Sequence, residues 1–588
     1  MKTMFKTIIL TSLIGAGGAL AAQVETPPQP VLTSVETTQP ELFNPFNGTS
    51  IAGNYLSARF AQQHHDWGHA STYMEDVLEI DPGDADLIKR AMVLSMGSGD
   101  TEKAVRMAKK VLKVEPDSSL ALLFLTTDAF TKKDYKGAAE HIGKIPESGL
   151  SDFVIPLMKS WADAAQGNQN TAHLQDNSIH IYHAILIADY LNQHGQIEEL
   201  LERSLVVDKL SPDDVERIAD IYAHIGKKDT ALDLYGKILV SVPENKDIIT
   251  KMEDLAAGKD MNLFRTIKTP EQGVAEALFD TGQTLFQEYS DDSARVFAHM
   301  ALYIDPSMTK AKLLLAHISA RHERYAQAIE YYKSITPDNK HYMDARRRAA
   351  TLLEESERID EALMELQKLV DDHDDLESLI QIGDIHRHNE NFKKALEYYN
   401  KSAKTFGKKI PADYWHLHYV RGMSYERLGK WKEAEKDLKA ALSYQPEHPF
   451  ILNYLGYAWA DQGTNLDESL KMIRKAADLR PTDGYITDSL GWVLYRKGDY
   501  EEAVPHLEKA VELLPYDPVV NDHLGDSYWR VGRKLEAKFQ WERAKNYAEE
   551  SDAELVQTID TKLATGLTSP PVVRAANTVQ GEEDALRP

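Results

Sequence analysis

The chain has no cysteine among its 588 residues, which excludes disulfide cross-links and a lipid-attachment cysteine, so the fold rests on packing alone. It is short of positive charge. Lys and Arg together number 67 against 92 Asp and Glu, for a formal net charge of -25. Neutralising phosphates needs a basic surface, so nucleic acid is not an expected partner, and the acidity reads as a means of keeping a long protein soluble. Alternating β-branched residues are scarce, while Ala, Leu, Glu and Lys are abundant, and this favours helices. No G-x-S-x-G elbow, phosphate-binding loop, dinucleotide glycine pattern or H-E-x-x-H helix occurs, and the carboxylates are scattered as on solvated helix faces. The sequence therefore points away from an enzyme and calls for no cofactor.

Long apolar runs are also missing. The one apolar stretch, Thr7 to Leu20, follows Lys2 and Lys6 and precedes the small-residue site Ala19-Leu20-Ala21. It is too short to span a bilayer comfortably and reads as a secretory signal over residues 1–22, so the expected destination is a bacterial periplasm, with any membrane association only indirect. Its removal takes two lysines and moves the net charge from -25 to -27. Residues 23–50 are rich in Pro and Thr and read as an extended linker.

At this length one hydrophobic core does not suffice, so either several domains or a stacked repeat is expected. Spacing decides for the repeat: Ala503 lies 34 residues before Ala537 and 34 after Ser469, which lies 35 after Ala434. Each unit adds a small residue upstream (Gly422, Gly456, Gly491, Gly525), a turn glycine (Gly429, Gly463, Gly498, Gly532) and a later alanine (Ala441, Ala476, Ala510, Ala544). Pro446, Pro481 and Pro515 close three of the units. This is the tetratricopeptide period.

Two helices approach closely only where facing residues lack bulk, which is the role read for Gly491 and Ala503. Gly498 supplies turn freedom, and Asp499 is placed to cap the second helix with its carboxylate.

Ala294, Ala328 and Ala362 also step by 34, as do Ala70, Ala104 and Ala138. The signature fades between Gly149 and Lys209, returns at Ala231 and Pro243, and breaks phase from Ala256 to Gly273. The expected fold is an all-α right-handed superhelical solenoid of about thirteen or fourteen units, several of them degenerate. The expected divisions are an N-terminal array over 51–260, a connector over 261–273, a middle array over 274–405 and a C-terminal array over 406–550. A capping helix over 551–564 and a disordered tail over 565–588 follow.

The most enzyme-like hexapeptide, His64 to His69, is largely accounted for by the repeat. Trp67 sits three before Ala70, the offset also shown by Tyr135, Tyr325, Phe392, Trp431 and Tyr500, where an aromatic fills the corner between paired helices. Its histidines then fall in a turn, and no metal site is expected there. His386 with His388, and His416 with His418, are two apart and do not share a helix face. Asn47-Gly48-Thr49 matches a glycosylation acceptor that a bacterial setting leaves unused.

In a stack of helix pairs the first helices line one wall, and residues that do not pack into a neighbour are left to bind. Counting from the small residue of each unit places His416, Tyr419 and Arg427 on that wall, then Phe450, Asn453, Tyr457 and Asp461. Tyr485, Asp488, Trp492, Tyr495 and Arg496 come next, followed by Asp522, Asp526, Trp529 and Arg530. Aromatic and arginine side chains concentrate binding energy at protein interfaces. The competing reading leaves some of these aromatics packed between adjacent first helices, and the arginines tied to Asp488, Asp522 and Asp526.

The wording "NYLGYAWADQG", "DSLGWVLYRKGDYEEAVPHLEKA" and "NDHLGDSYWRVGRKLEAKFQWERA" from Asn453 to Ala544, with "GNYLSARFAQQHHDWGHASTYMEDVLEIDP" near the start, resembles bacterial envelope tetratricopeptide proteins. These include the outer-membrane lipoprotein adaptors that partner a carboxyl-terminal processing protease. The resemblance implies a non-enzymatic scaffold binding that protease and peptidoglycan hydrolases, although the lipid-modified cysteine of those adaptors is absent. The second reading is an envelope assembly factor for secretion, polysaccharide export or division, built on the same solenoid.

Overall fold

The computed structural model describes residues 50–568 apart from 147–150, 176, 194, 201–211 and 242–244. The signal, the linker up to Thr49 with its glycosylation tripeptide, Pro243 and the tail beyond Thr568 lie outside the described residues. Every regular element among the described residues is a helix. The chain forms two compact units that divide between Leu369 and Val370, inside the helix Ile359–His373, so the stretch expected as a middle array contributes to both.

Among its described residues the second unit contains five helix pairs: Leu376–His388 with Phe392–Thr405, Trp415–Arg427 with Trp431–Tyr444, Pro449–Gln462 with Leu466–Leu479, Gly484–Lys497 with Tyr500–Leu513, and Pro518–Arg530 with Lys534–Tyr547. The small residues set their approach. A Cβ on Gly491 would stand 2.4 Å from the Leu507 side chain and 3.3 Å from the carbonyl oxygen of Ala503, and one on Gly525 2.5 Å from Trp541 and 3.2 Å from the Ala537 oxygen. Ala434, Ser469, Ala503 and Ala537 are fully buried. At each crossing the glycine of one helix faces the backbone of its partner, and added volume there forces the pair apart at about 1–3 kcal/mol.

The aromatics at the corner position, Trp67, Tyr135, Tyr325, Phe392, Trp431 and Tyr500, each begin the second helix of their pair. Turn glycines Gly429, Gly463, Gly498 and Gly532 have φ of 71°, 70°, 93° and 87°, a region open to glycine without a Cβ clash. Asp499 does occupy the cap position, but its carboxylate makes no capping bond. Second helices elsewhere are capped by side chains, as by Asn391 and Asp100, and in this part of the array it is the first helices that are, where Asp483 accepts from the amides of Tyr485 and Ile486, and Asp517 from those of Val519 and Val520.

In the first unit, pairs such as Ile51–Gln63 with Trp67–Ile80 and Ala85–Ser98 with Thr101–Val114 begin the stack. The chain then packs on itself. Helix Asp291–Ile304 lies against Ala85–Ser98 and Ser119–Thr131, and Pro270–Gln287 lies against Ser151–Ala165 and Ser178–Tyr190. The expected connector is partly helical, since Pro270 opens a helix capped by the Thr269 hydroxyl. Within that helix a Cβ on Gly273 would meet the Trp161 ring at 2.4 Å.

Polar groups close the same seams. Trp161 Nε1 donates to His183 Nδ1 at 2.9 Å, and the opposite ring nitrogen meets Asp280 Oδ2 at 3.1 Å, which assigns the proton on Nε2. The Arg217 guanidinium reaches Glu276 Oε1 at 2.5 Å and also bonds the Tyr182 hydroxyl. Although burial pulls Glu276 upward, Arg217 and Lys310 outweigh it and hold the carboxyl below its usual range. Tyr303 donates to Asp128 at 2.9 Å. His65 takes a left-handed turn conformation at φ 57° and stacks on His322 at 3.4 Å between ring centres. No cluster of three or more metal-ligating side chains occurs among the described residues.

Candidate functional site

First helices of the second unit also touch one another: Gly484–Lys497 packs against both Pro449–Gln462 and Pro518–Arg530. They form a continuous wall, on which side chains reach the next helix about one repeat later. Along it the side chains named from the sequence fall into three groups.

One group is sealed. Tyr419 is 9% exposed and meets Tyr454 edge-on at 6.0 Å, and burial raises its phenol well above the usual range. Tyr457 and Asn453 are each 4% exposed, and the Asn453 Oδ1 has no hydrogen-bond partner. Asp488 is fully buried and accepts from His523 Nδ1 at 2.9 Å. Burial pulls the His523 ring down in pKa, but the Asp488 carboxylate outweighs this and raises it above its usual value.

A second group is half-buried and forms an inter-repeat ladder. Trp492 stacks on Tyr495 at 4.8 Å and on His523 of the next first helix at 3.9 Å, while its indole Nε1 is buried without a partner. Arg496 donates to the Asp461 carbonyl at 2.6 Å and lies 3.6 Å from its carboxylate. Tyr485 donates to Asp517 at 3.3 Å. Arg427 lies over the Phe392 ring at 5.1 Å, Arg480 covers Phe450 at 5.5 Å, and His416 packs between Tyr414 and Trp415. The arginines thus tie to Asp461, to aromatic faces, to the Tyr495 hydroxyl and to the Thr568 carbonyl rather than to Asp488, Asp522 and Asp526.

The third group meets the helix Ala553–Thr565 and the residues just after it. Lys562, on the final helix Ala553–Thr565, donates to Asp522 at 2.7 Å and 2.8 Å and pairs with Asp526 at 2.7 Å. Trp541 Nε1 donates to Asp526 at 2.9 Å. Burial and the neighbouring Asp522 push the Asp526 carboxyl up to about 6. Arg530 donates to the Tyr495 hydroxyl at 3.3 Å and to the Thr568 carbonyl at 2.7 Å. Gly566 presses on the Trp529 indole, where a Cβ would come within 1.9 Å. Residues 566–568, assigned from sequence to a disordered tail, therefore lie against the wall.

His523, Tyr454 and Lys562 were not singled out from the sequence. His523 and Tyr454 sit one position after those counted as wall residues, where a side chain faces the preceding repeat. Lys562 had a signal in Asp522 and Asp526, since two carboxylates on one helix face, buried together, require a cation.

The family description "Tetratricopeptide repeat" matches residues 376–405, 419–484 and 488–517. These helix pairs are tetratricopeptide repeats. A TPR repeat-containing protein of Pseudomonas aeruginosa is 28% identical over 191 residues, covering 32% of this chain and 31% of that relative. The match spans less than a third of the relative's length. Among solved structures, a tetratricopeptide protein from Parabacteroides merdae shares 16% identity over 43% of this chain and 99% of its own, with a TM-score of 0.35. Cut9 with Hcn1 of the APC/C shares 13% over 87% of this chain and 96% of its own, with a TM-score of 0.36. The tetratricopeptide fold presents a protein-binding scaffold.

Proposed function

We propose that this protein is a non-enzymatic scaffold of the bacterial envelope that binds other proteins along the first-helix wall of its second unit. One observation carries the reading: half-buried aromatic and cationic side chains, from His416 and Phe450 through Tyr485, Trp492 and Arg496, recur on consecutive first helices. Such residues add large contact area at low entropic cost and give orientation through a fixed donor fork.

The resemblance to protease adaptors makes a carboxyl-terminal processing protease and peptidoglycan hydrolases the specific partners proposed, in a periplasmic setting reached through the signal at residues 1–22. Affinity capture from envelope extract of the native host, with cross-linking, tests it. Recovery of the protease or a hydrolase, cross-linked to residues 415–530, is the expected outcome. Reproducible recovery of a secretion, export or division complex instead would transfer the protein to the assembly-factor reading. Hydrolysis of any substrate by the purified chain without a co-purifying partner would overturn the scaffold reading itself.

A further inference from the structure

The final helix does not continue the repeat. Ile559 stands 34 residues after Gly525, and where the preceding units carry a glycine against their own second helix this position holds a fully buried isoleucine, so the helix is not built to take a second helix of its own. It packs on Lys534–Tyr547, as the first helices of the preceding pairs pack on the second helix before them. From there it sends Lys562 across to the carboxylates of Asp522 and Asp526. Beyond the helix, Gly566 lies flat on the Trp529 indole and the Thr568 carbonyl is held by Arg530. An ammonium between two carboxylates and a main-chain carbonyl on a guanidinium are charge-assisted contacts that a peptide from another chain can make equally well.

We propose that Asp522, Asp526, Trp529 and Arg530 form a peptide site for a partner segment that presents a lysine followed four residues later by glycine and an apolar residue. Residues Lys562 to Thr568 occupy that site in cis and keep it closed. The inference rests on the protein-binding reading above and names the chemistry of one partner. Charge supports this occupant. Lys562 is the cation that pairs with both Asp522 and Asp526, so a displacing segment that brings a positive charge of its own restores the pairing that withdrawal of Lys562 breaks.

The test uses the full chain and a fluorescent peptide copying residues 557–568, followed by anisotropy. In the wild type, the tethered segment competes at high effective concentration and binding of the peptide is weak. Gly566→Val drives the segment off Trp529, and Lys562→Gln loosens it without adding bulk. Either variant, if it keeps the wild-type helical melt, should bind the peptide about ten-fold tighter or more. The same peptide carrying glutamine for its lysine should not bind, nor should the wild-type peptide bind when Asp522→Asn and Asp526→Asn are added. A folded opened variant that binds no tighter than wild type, or that takes the glutamine peptide equally well, would overturn the proposal. Envelope capture with the wild type, in which the site is closed, reads the scaffold function separately, so partner recovery alongside a failed titration sinks this inference alone.

Discussion

In the second unit the turn between paired helices is made by glycine in the last four pairs, with φ from 70° to 93°, whereas the first unit keeps glycine at Gly99 and Gly226, at 88° and 84°, but places His65, Lys133, Tyr289, Glu323 and Glu357 in left-handed turns at 57° to 60°. The first helices differ as well. In the first unit, Ala85–Ser98, Ser119–Thr131 and Ser151–Ala165 are packed by helices from Pro270 to Ile304. In the second they pack on their own pairs and on one another, and a row of half-buried aromatic and basic side chains remains. The same repeat thus serves internal closure in one unit and leaves a surface in the other, and this places the proposed partner site where the repeat is most regular.

The largest break in that comparison comes at the helix crossings, which both units share. Ala503→Asp puts a carboxylate at a fully buried site facing Gly491, and should destabilise the second unit by about 3–5 kcal/mol through overpacking and an unpaired charge. Ala328→Asp in the first unit, where the alanine is equally buried, should do the same there. Urea unfolding with amide exchange, assigned to each unit, checks whether the loss stays within the unit that carries the substitution. A loss spread evenly over both would remove the distinction between them.

Next comes the ladder. Trp492 bridges Tyr495 and His523, so Trp492→Ala should lower stability by about 2 kcal/mol as well as weaken partner capture. Arg496→Ala, which removes a bond to a carbonyl and a half-exposed ion pair, should change stability by about 1 kcal/mol or less. A thermal melt of the two single variants separates these. Partner binding lost in Arg496→Ala with the melt preserved would assign that side chain to recognition.

A charge difference gives a smaller, pH-dependent test. In the first unit, burial and then Arg295 lower the His299 ring to about 3. Its neutral form stabilises the fold above the unfolded value near 6.5, and this is lost as pH falls toward 3, at about 1.4 kcal/mol per pH unit. His523 in the second unit has the opposite sign: its raised value supplies stability below about 6.5 that is lost as pH climbs through the folded value. Between pH 7.5 and 5.5 the wild-type first unit should weaken. His299→Gln should flatten that slope, and amide exchange of residues 291–304 at the two pH values reads it.

The crossings and glycine turns of the second unit were legible in the sequence because glycine and alanine are there for backbone reasons that recur at a fixed period. The closure of the first unit was not. It depends on pairs far apart in the chain, such as Arg217 with Glu276 and Tyr303 with Asp128, and no local pattern announces a contact across 59 or 175 positions. On the wall, counting placed Trp492 and Arg496 correctly on a first helix but could not distinguish a side chain that faces a partner from one that stacks on the next repeat. For the same reason Asp522 and Asp526 read as an open surface while Lys562 in fact covers them.

The smallest effect concerns the turns themselves. A left-handed residue with a side chain carries a conformational cost of roughly 1–2 kcal/mol, while glycine in its place gives back about 0.5–1 kcal/mol through the unfolded chain. Glu357→Gly at φ 60° should therefore stabilise the first unit by about 0.5–1 kcal/mol, and Gly498→Ala at φ 93° should cost the second unit about 1 kcal/mol. Nothing lies within 4 Å of a Cβ built on Gly498, so any loss there comes from backbone conformation and not from a clash. Urea midpoints of the two variants decide the matter. If both shifts carry the expected signs, the fading of the signature through the first unit reflects strain accepted at its turns. A Glu357→Gly chain no more stable than wild type would mean that the left-handed glutamate is held by interactions of its own, and that the two units do not share one turn.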